Sequence, residues 1–343
     1  MGDRRRLRDD GRGLDDQAMG TVRQTGAGAS LMTSRPQLIF LLVTFLVLLL
    51  LPLAGSRYLV DLASQIMIFS LFALSLNVLA GHIGSISFGH AAFFAIGGYA
   101  CAYLLTTAGW PLAASMAGAV VLTAVSALLI GLVCVRLNAI YFSMLTLAFS
   151  MLVWAVAVKW KAVTGGDDGF VGVTLPQFLT DPVGFFWFTL GVTSLSVAAL
   201  WILSRSAMGR TFIAIRENPV RAGFLGLHVR RMQLVAFVIA GVFAGVAGCL
   251  LAIYVRGMYP QTAFWTQSGQ VVIMVLLGGV HSFVGPILGA TLLYLLEMTI
   301  HQYTEYWPIV LGIILMVIVL AAPEGIVGLF QRLRRRLRRP TTP

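Results

Sequence analysis

Long apolar stretches separated by short polar or glycine-rich breaks fill most of the chain. Runs with the length a membrane helix needs, about 20 mostly apolar residues, fall at about 38–55, 62–80, 86–105, 112–135, 139–158, 184–204, 233–254 and 307–322. The stretch from about 270 to 300 is divided. VVIMVLL (271–277) stops at GGVHSFVGP (278–286), and the apolar pattern resumes as ILGATLLYLLE (287–297). It reads either as one interrupted span or as two spans meeting at a glycine-rich turn. The pattern predicts an all-α fold: a polytopic transmembrane helix bundle of about ten spans, some broken or re-entrant.

Charge decides between the two readings of 270–300. Arginines gather at 4–35, 205–231 and 332–339, between or beyond the apolar runs. With the N-terminus inside, six spans return the loop at 205–232 to the cytoplasm. Two further spans within 270–300 then leave the C-terminus inside as well. That ten-span count puts 20 of the 24 Lys and Arg residues on the cytoplasmic side, with Arg57, Lys159, Lys161 and Arg256 outside. Loops rich in Lys and Arg stay cytoplasmic, so both termini are expected there. Trp110, Trp160, Trp187, Trp265 and Trp307 fall in or beside the outer loops, where indoles favour the membrane–water interface.

Composition agrees: 58% of residues are apolar and 11% charged, against roughly 25% charged in a soluble globular chain. The +11 net charge follows the loops and does not form a nucleic-acid-binding patch, so membrane lipid, not nucleic acid, is the expected surrounding. Residues 1–36 form an Arg-, Asp- and Gly-rich segment expected to be a disordered cytoplasmic tail, with Met32 an alternative start. Residues 37–325 are expected to form the membrane domain, and 326–343 a basic cytoplasmic tail.

Several chemistries are missing from the pattern. A Walker A loop ends Gly-Lys-Ser/Thr, whereas the only two lysines, Lys159 and Lys161, follow Val158 and Trp160. The histidines at 82, 90, 228, 281 and 301 have no metal-ligand spacing. No catalytic constellation is recognisable, and no metal site is expected. An ion-coupled carrier keeps ionisable groups in its interior. Here only His90 is deeply placed, with Asp61, Glu297 and Glu305 near span ends.

Three segments rise above the apolar background. In SLNVLAGHIGSISFGHAAFFAIGGYA (75–100), Gly81, Gly84 and Gly89 punctuate the run beside Asn77, Ser87, Phe88 and His90. Small residues at such intervals let helix backbones approach. Alternatively, they mark a broken helix whose freed backbone groups line a cavity. LLGGVHSFVGPILGA (276–290), with Gly278, Gly279, Gly285 and Pro286, repeats the Ser-Phe near Gly of the first segment, as expected of an internal repeat around a pathway. The third segment, 204–237, mixes Ile213, Ile215, Val220, Phe224, Leu225 and Leu227 with six arginines and a single carboxylate, Glu217. It reads as a short amphipathic helix docking on a cytoplasmic partner, or as a basic helix resting on anionic headgroups.

Taken together, these segments resemble the LivM-type permease subunits of branched-chain amino acid ABC importers. The resemblance covers about 62–325: AIRENPVRAGFLGLHVRRMQLVAF is similar to the family's coupling loop, and Leu76-Asn77 through Phe93 to its first membrane motif. It implies an inner-membrane subunit carrying leucine, isoleucine and valine, with no cofactor of its own, ATP being bound by partner subunits. The implied partners are a second related permease, two cytoplasmic ATPase subunits and a periplasmic binding protein. Carried over by the motifs, Arg216, Glu217, Ala222 and Gly226 belong to the coupling loop. Asn77, Gly81, Gly84, Ser87, Phe88, Gly89 and His90 belong to the first membrane motif. Pro219 and Arg221 depart from the family, which more often has an acidic and a small residue there.

Two other classes compete: a secondary carrier working alone, and an intramembrane enzyme. The few interior ionisable groups speak against the carrier, and no catalytic set supports the enzyme. Within the family, related permeases move urea, short amides or aromatic acids.

Overall fold

The computed structural model describes residues 35–302 together with 309–310, 312–313, 316 and 325–329. Most of the expected last span, most of both tails and the alternative start at Met32 lie outside the described residues. Contacts divide the chain into two units, residues 1–42 and 43–343. The described part of the first is the start of α1 (Arg35–Leu50), where Leu38, Ile39 and Leu42 are exposed.

The second unit continues with α2 (Arg57–Asn77), α3 (His90–Thr106), α4 (Leu112–Cys134), α5 (Ala139–Lys159), α6 (Pro182–Arg205), α7 (Ala207–Glu217), α8 (Pro219–Phe224), α9 (Val229–Val255), α10 (Trp265–Gly278) and α11 (Gly285–His301). Among the described residues, five helical segments are long and apolar enough to cross a membrane: Arg57–Ile83, Leu112–Cys134, Ala139–Lys159, Pro182–Arg205 and Val229–Val255. A helix meets its own backbone hydrogen bonds, which is why apolar runs in lipid resolve into helices. The divided stretch at 270–300 resolves into two, α10 and α11, packed on each other across the turn at 279–284.

α2 is the centre of the unit. Of its most apolar stretch 89% is buried, against 17% for α5, because α6, α9, α10 and α11 all pack on it. α3 and α9 meet through small residues: a Cβ on Gly97 would lie 2.5 Å from the Gly245 Cα, and one on Gly248 would collide with the Phe94 carbonyl oxygen. The Cys249 thiol donates to the Gly97 carbonyl at 3.3 Å. Such close backbone approach replaces the hydrophobic drive that lipid cannot supply.

Contacts sort the helix ends into two groups. At one end, β1 (Phe170–Val171) pairs antiparallel with β2 (Gly257–Met258), and Arg256 donates to the Thr180 carbonyl at 3.2 Å. The Tyr254 hydroxyl donates to Asp61 there at 2.8 Å, and Tyr58 reaches Met298. The opposite end gathers the close of α2 and α6, the start of α5, α7, and the turn before α11.

Candidate functional site

That opposite end holds the residues the sequence singles out. α2 does not stop at Asn77. It runs on as a π-helical turn, Val78–Ile83, closed by Gly84 in the left-handed region at φ 81°. Wider turns of this kind are rare and occur often at functional sites. The backbone then crosses 84–89 before α3 starts at His90.

Neighbouring side chains hold that crossing. Ser143 on α5 donates to the Ile86 carbonyl at 2.7 Å, and Ser268 on α10 accepts from the Ala91 N–H at 2.9 Å. Ser87 is buried and accepts from the Gly89 N–H at 3.3 Å. Phe88 is half-buried. Gly89 lies against the backbone of α5, where any Cβ would collide with the Thr146 carbonyl oxygen.

His90 is fully enclosed. Its Nε2 lies 2.8 Å from the Ser75 hydroxyl, whose own proton goes to the Phe72 carbonyl at 2.7 Å. The hydroxyl has one proton to give, so the imidazole donates from Nε2. Phe72 stacks on the ring at 5.5 Å between centroids.

The second glycine-rich segment forms the turn between α10 and α11. Gly279 takes φ 110°, and Pro286 lies in the first turn of α11, where its missing N–H costs nothing. Gly278 and Gly285 touch backbone to backbone, leaving no room for a Cβ on Gly278. Phe283 packs edge-on against Trp201 of α6 at 4.9 Å, and the Arg205 guanidinium lies 4.3 Å over the same indole.

Two side chains tie the glycine-rich segments together. The Asn77 amide donates to the Ser282 carbonyl at 3.4 Å. From α7, the Arg216 guanidinium donates to the Gly81 carbonyl and, at 3.2 Å, to His281 Nδ1. Its Cγ lies 2.7 Å from where a Cβ on Gly84 would stand. Arginine carries no acceptor, so His281 accepts at Nδ1. Burial pulls the Arg216 pKa down, and the Glu217 carboxylate pushes it back up.

α7 and α8 form a helical elbow. Ser206 caps α7 by accepting from the Gly209 N–H, and Asn218 caps α8 by accepting from the Arg221 N–H at 2.8 Å. Pro219, a departure from the family pattern, suits the first turn of α8. The apolar residues of the loop divide between two faces. Phe212, Ile215 and Ala222 are buried against the rest of the unit, while Val220, Phe224 and Leu225 are 67%, 87% and 74% exposed. Glu217 is exposed. Gly226 has φ 83° and nothing within 4 Å of a Cβ. Backbone handedness, not crowding, is what asks for glycine there.

The structure therefore joins Asn77, Gly81, Gly84 and Arg216, and sets Gly278, Gly279, Gly285 and Pro286 beside them. It places Glu217 and Gly226 away from that junction. Sequence reasoning missed His281, which Arg216 reaches from 65 positions away, a distance that leaves no local signal.

The sequence model of the family described as "Branched-chain amino acid transport system / permease component" matches residues 58–320. This chain belongs to that family. It is 28% identical over 317 residues to the high-affinity branched-chain amino acid transport system permease protein LivM of Escherichia coli K12, covering 84% of this chain and 75% of that relative. LivH of the same organism is also 28% identical, over 76% of this chain and 91% of its own length. An autoinducer 2 import system permease protein, LsrC of Klebsiella pneumoniae, is 29% identical over 55% of this chain and 53% of its own length. No solved structure matches the chain significantly. As a family member with several membrane-length apolar helices, it is a multi-pass membrane permease.

Proposed function

We propose that this chain is a non-enzymatic inner-membrane subunit of an ATP-driven importer, forming part of the path for leucine, isoleucine and valine. The observation that carries this reading is the family match across 58–320. Likeness to LivM over 84% of the chain favours branched-chain amino acids, whereas likeness to autoinducer 2 relatives spans 55% to 67% of it. LivM and LivH carry one system name in one organism, which supports pairing with a second permease of the same family. ATP is bound by two cytoplasmic ATPase subunits, since neither lysine here sits in a phosphate-binding loop. A periplasmic binding protein delivers the substrate.

In this reading the permease domain is 37–325, flanked by cytoplasmic tails, and the chain crosses the membrane ten times. Positive loops support that orientation, and the sorting of helix ends into two groups fits it. The elbow at α7–α8 docks on an ATPase through Val220, Phe224 and Leu225, with Glu217, Ala222 and Gly226 shaping the loop. The motif from Asn77 to His90 and the turn from Gly278 to Pro286 flank the path and pack its helices.

The test is reconstitution of the whole importer in vesicles, with labelled leucine, isoleucine and valine offered beside urea, a short amide, an aromatic acid and autoinducer 2. Uptake of the three amino acids that needs both ATP and the binding protein is expected. Uptake by this chain alone, without ATP, would make it a stand-alone carrier.

A further inference from the structure

Arg216 belongs to the loop that carries the expected ATPase contacts, yet its side chain turns the other way, into the membrane domain. Its hydrogen bonds run to Gly81, in the π-helical turn that ends α2, and to His281, in the turn that opens α11. Both are glycine-rich breaks between spans at this end of the unit. The fit is built around it, since the missing side chain at Gly84 is what lets the arginine stem pass. We infer that Arg216 is a positioning residue of the transport cycle, a clasp that holds the two glycine-rich turns together and must release them for the path to open towards the cytoplasm.

Three features support a clasp that works in both directions. The Gly81 carbonyl lies in the widened turn, where the regular helix ladder is already interrupted, so the guanidinium meets an acceptor the helix supplies less well. His281 can accept only while Nδ1 is unprotonated. The Asn77 side-chain oxygen is buried beside this seat with no partner among the described residues. An unmet buried acceptor disfavours the closed arrangement relative to one in which a donor reaches it. Withdrawal of α7 would pull the guanidinium from both turns at once.

This inference rests on α7–α8 being the element that the ATPase moves, so the test separates the two. In the full reconstituted complex, Arg216→Gln is expected to keep its ATPase subunits and hydrolyse ATP, while uptake per ATP falls roughly tenfold or more, within the range of allosteric couplings. Arg216→Lys, which still offers a donor to the Gly81 carbonyl, should recover part of that loss. A second arm leaves Arg216 and His281 intact. Cysteines replace Ser85 and Glu217, in a background without Cys101, Cys134 and Cys249, and a reducible bis-methanethiosulfonate spacer bridges them. Relative to the same double-cysteine variant before bridging, bridging should stop uptake, and reduction should return it to that variant's own level. Parental coupling in Arg216→Gln, or undiminished uptake when bridged, would overturn the clasp. Loss of ATPase binding in Arg216→Gln would also overturn it, by placing the guanidinium at the partner surface, and would leave the docking role of the loop standing. The docking role itself fails only if charged substitutions at Phe224 and Leu225 leave the ATPase bound.

Discussion

Gly89 and Thr146 approach so closely that a Cβ on the glycine would collide with the threonine carbonyl oxygen. The start of α3 is thereby pinned to α5 by backbone contact. Gly89→Leu forces atoms into filled space, and overpacking typically costs about 1–3 kcal/mol. The solubilised protein should melt earlier and take up less substrate. Gly191→Leu, on α6 where nothing lies within 4 Å of a Cβ, is the matched control and should be tolerated. Equal behaviour of the two variants would show that Gly89 is not a packing site.

The elbow at α7–α8 makes a prediction about affinity. Phe224 and Leu225 are among the most exposed large apolar side chains of the described residues. Aromatic anchors at interfaces are commonly worth about 2 kcal/mol or more. Phe224→Asp with Leu225→Asp should weaken ATPase binding by at least roughly tenfold, read by co-purification at graded concentration. Full retention would turn attention to the lipid surface instead.

At Gly226 the prediction concerns backbone handedness. With φ at 83° and open space around it, Ala and Leu should be equally costly, about 1–2 kcal/mol each. Asn, which tolerates the left-handed region, should cost less. Limited proteolysis of the loop and uptake per ATP both report it. A Leu variant far worse than the Ala variant would mean that a neighbour fills the space.

Topology is open to direct labelling. In a cysteine-free background expressed without its ATPase, Asp167→Cys should react with an impermeant thiol reagent from outside and Val220→Cys from inside, both positions being exposed in this chain. Labelling of both from one side would refute the charge-based orientation.

Much of the helical architecture is legible in the sequence. Lipid obliges each apolar run to satisfy its own backbone, so among the described residues runs and helices coincide to within a few residues. What hydropathy does not read is which helix is central. α2 and α5 each carry a membrane-length stretch of nearly equal hydropathy, yet one is enclosed by protein and the other is not. Lipid tails and apolar side chains are equivalent neighbours in that measure. The direction of Arg216 is hidden for a related reason. A charge-based topology counts the residue by its place in a loop, while the guanidinium finds a carbonyl 135 positions away. The glycine-rich segments were conspicuous in the sequence, but their joining through Asn77 and Arg216 depends on how α2 and α11 meet.

The small ladder between β1 and β2 has a consequence at the far end. It welds the segment between α5 and α6 to the close of α9, and Arg256 adds a second tether to Thr180. A delivery protein landing there would find a platform already set. Little of its binding energy would go into ordering loops, since preorganised surfaces avoid that entropy loss. The same weld ties the approach to α6 to the close of α9, and both helices run from there to the end where α7 begins.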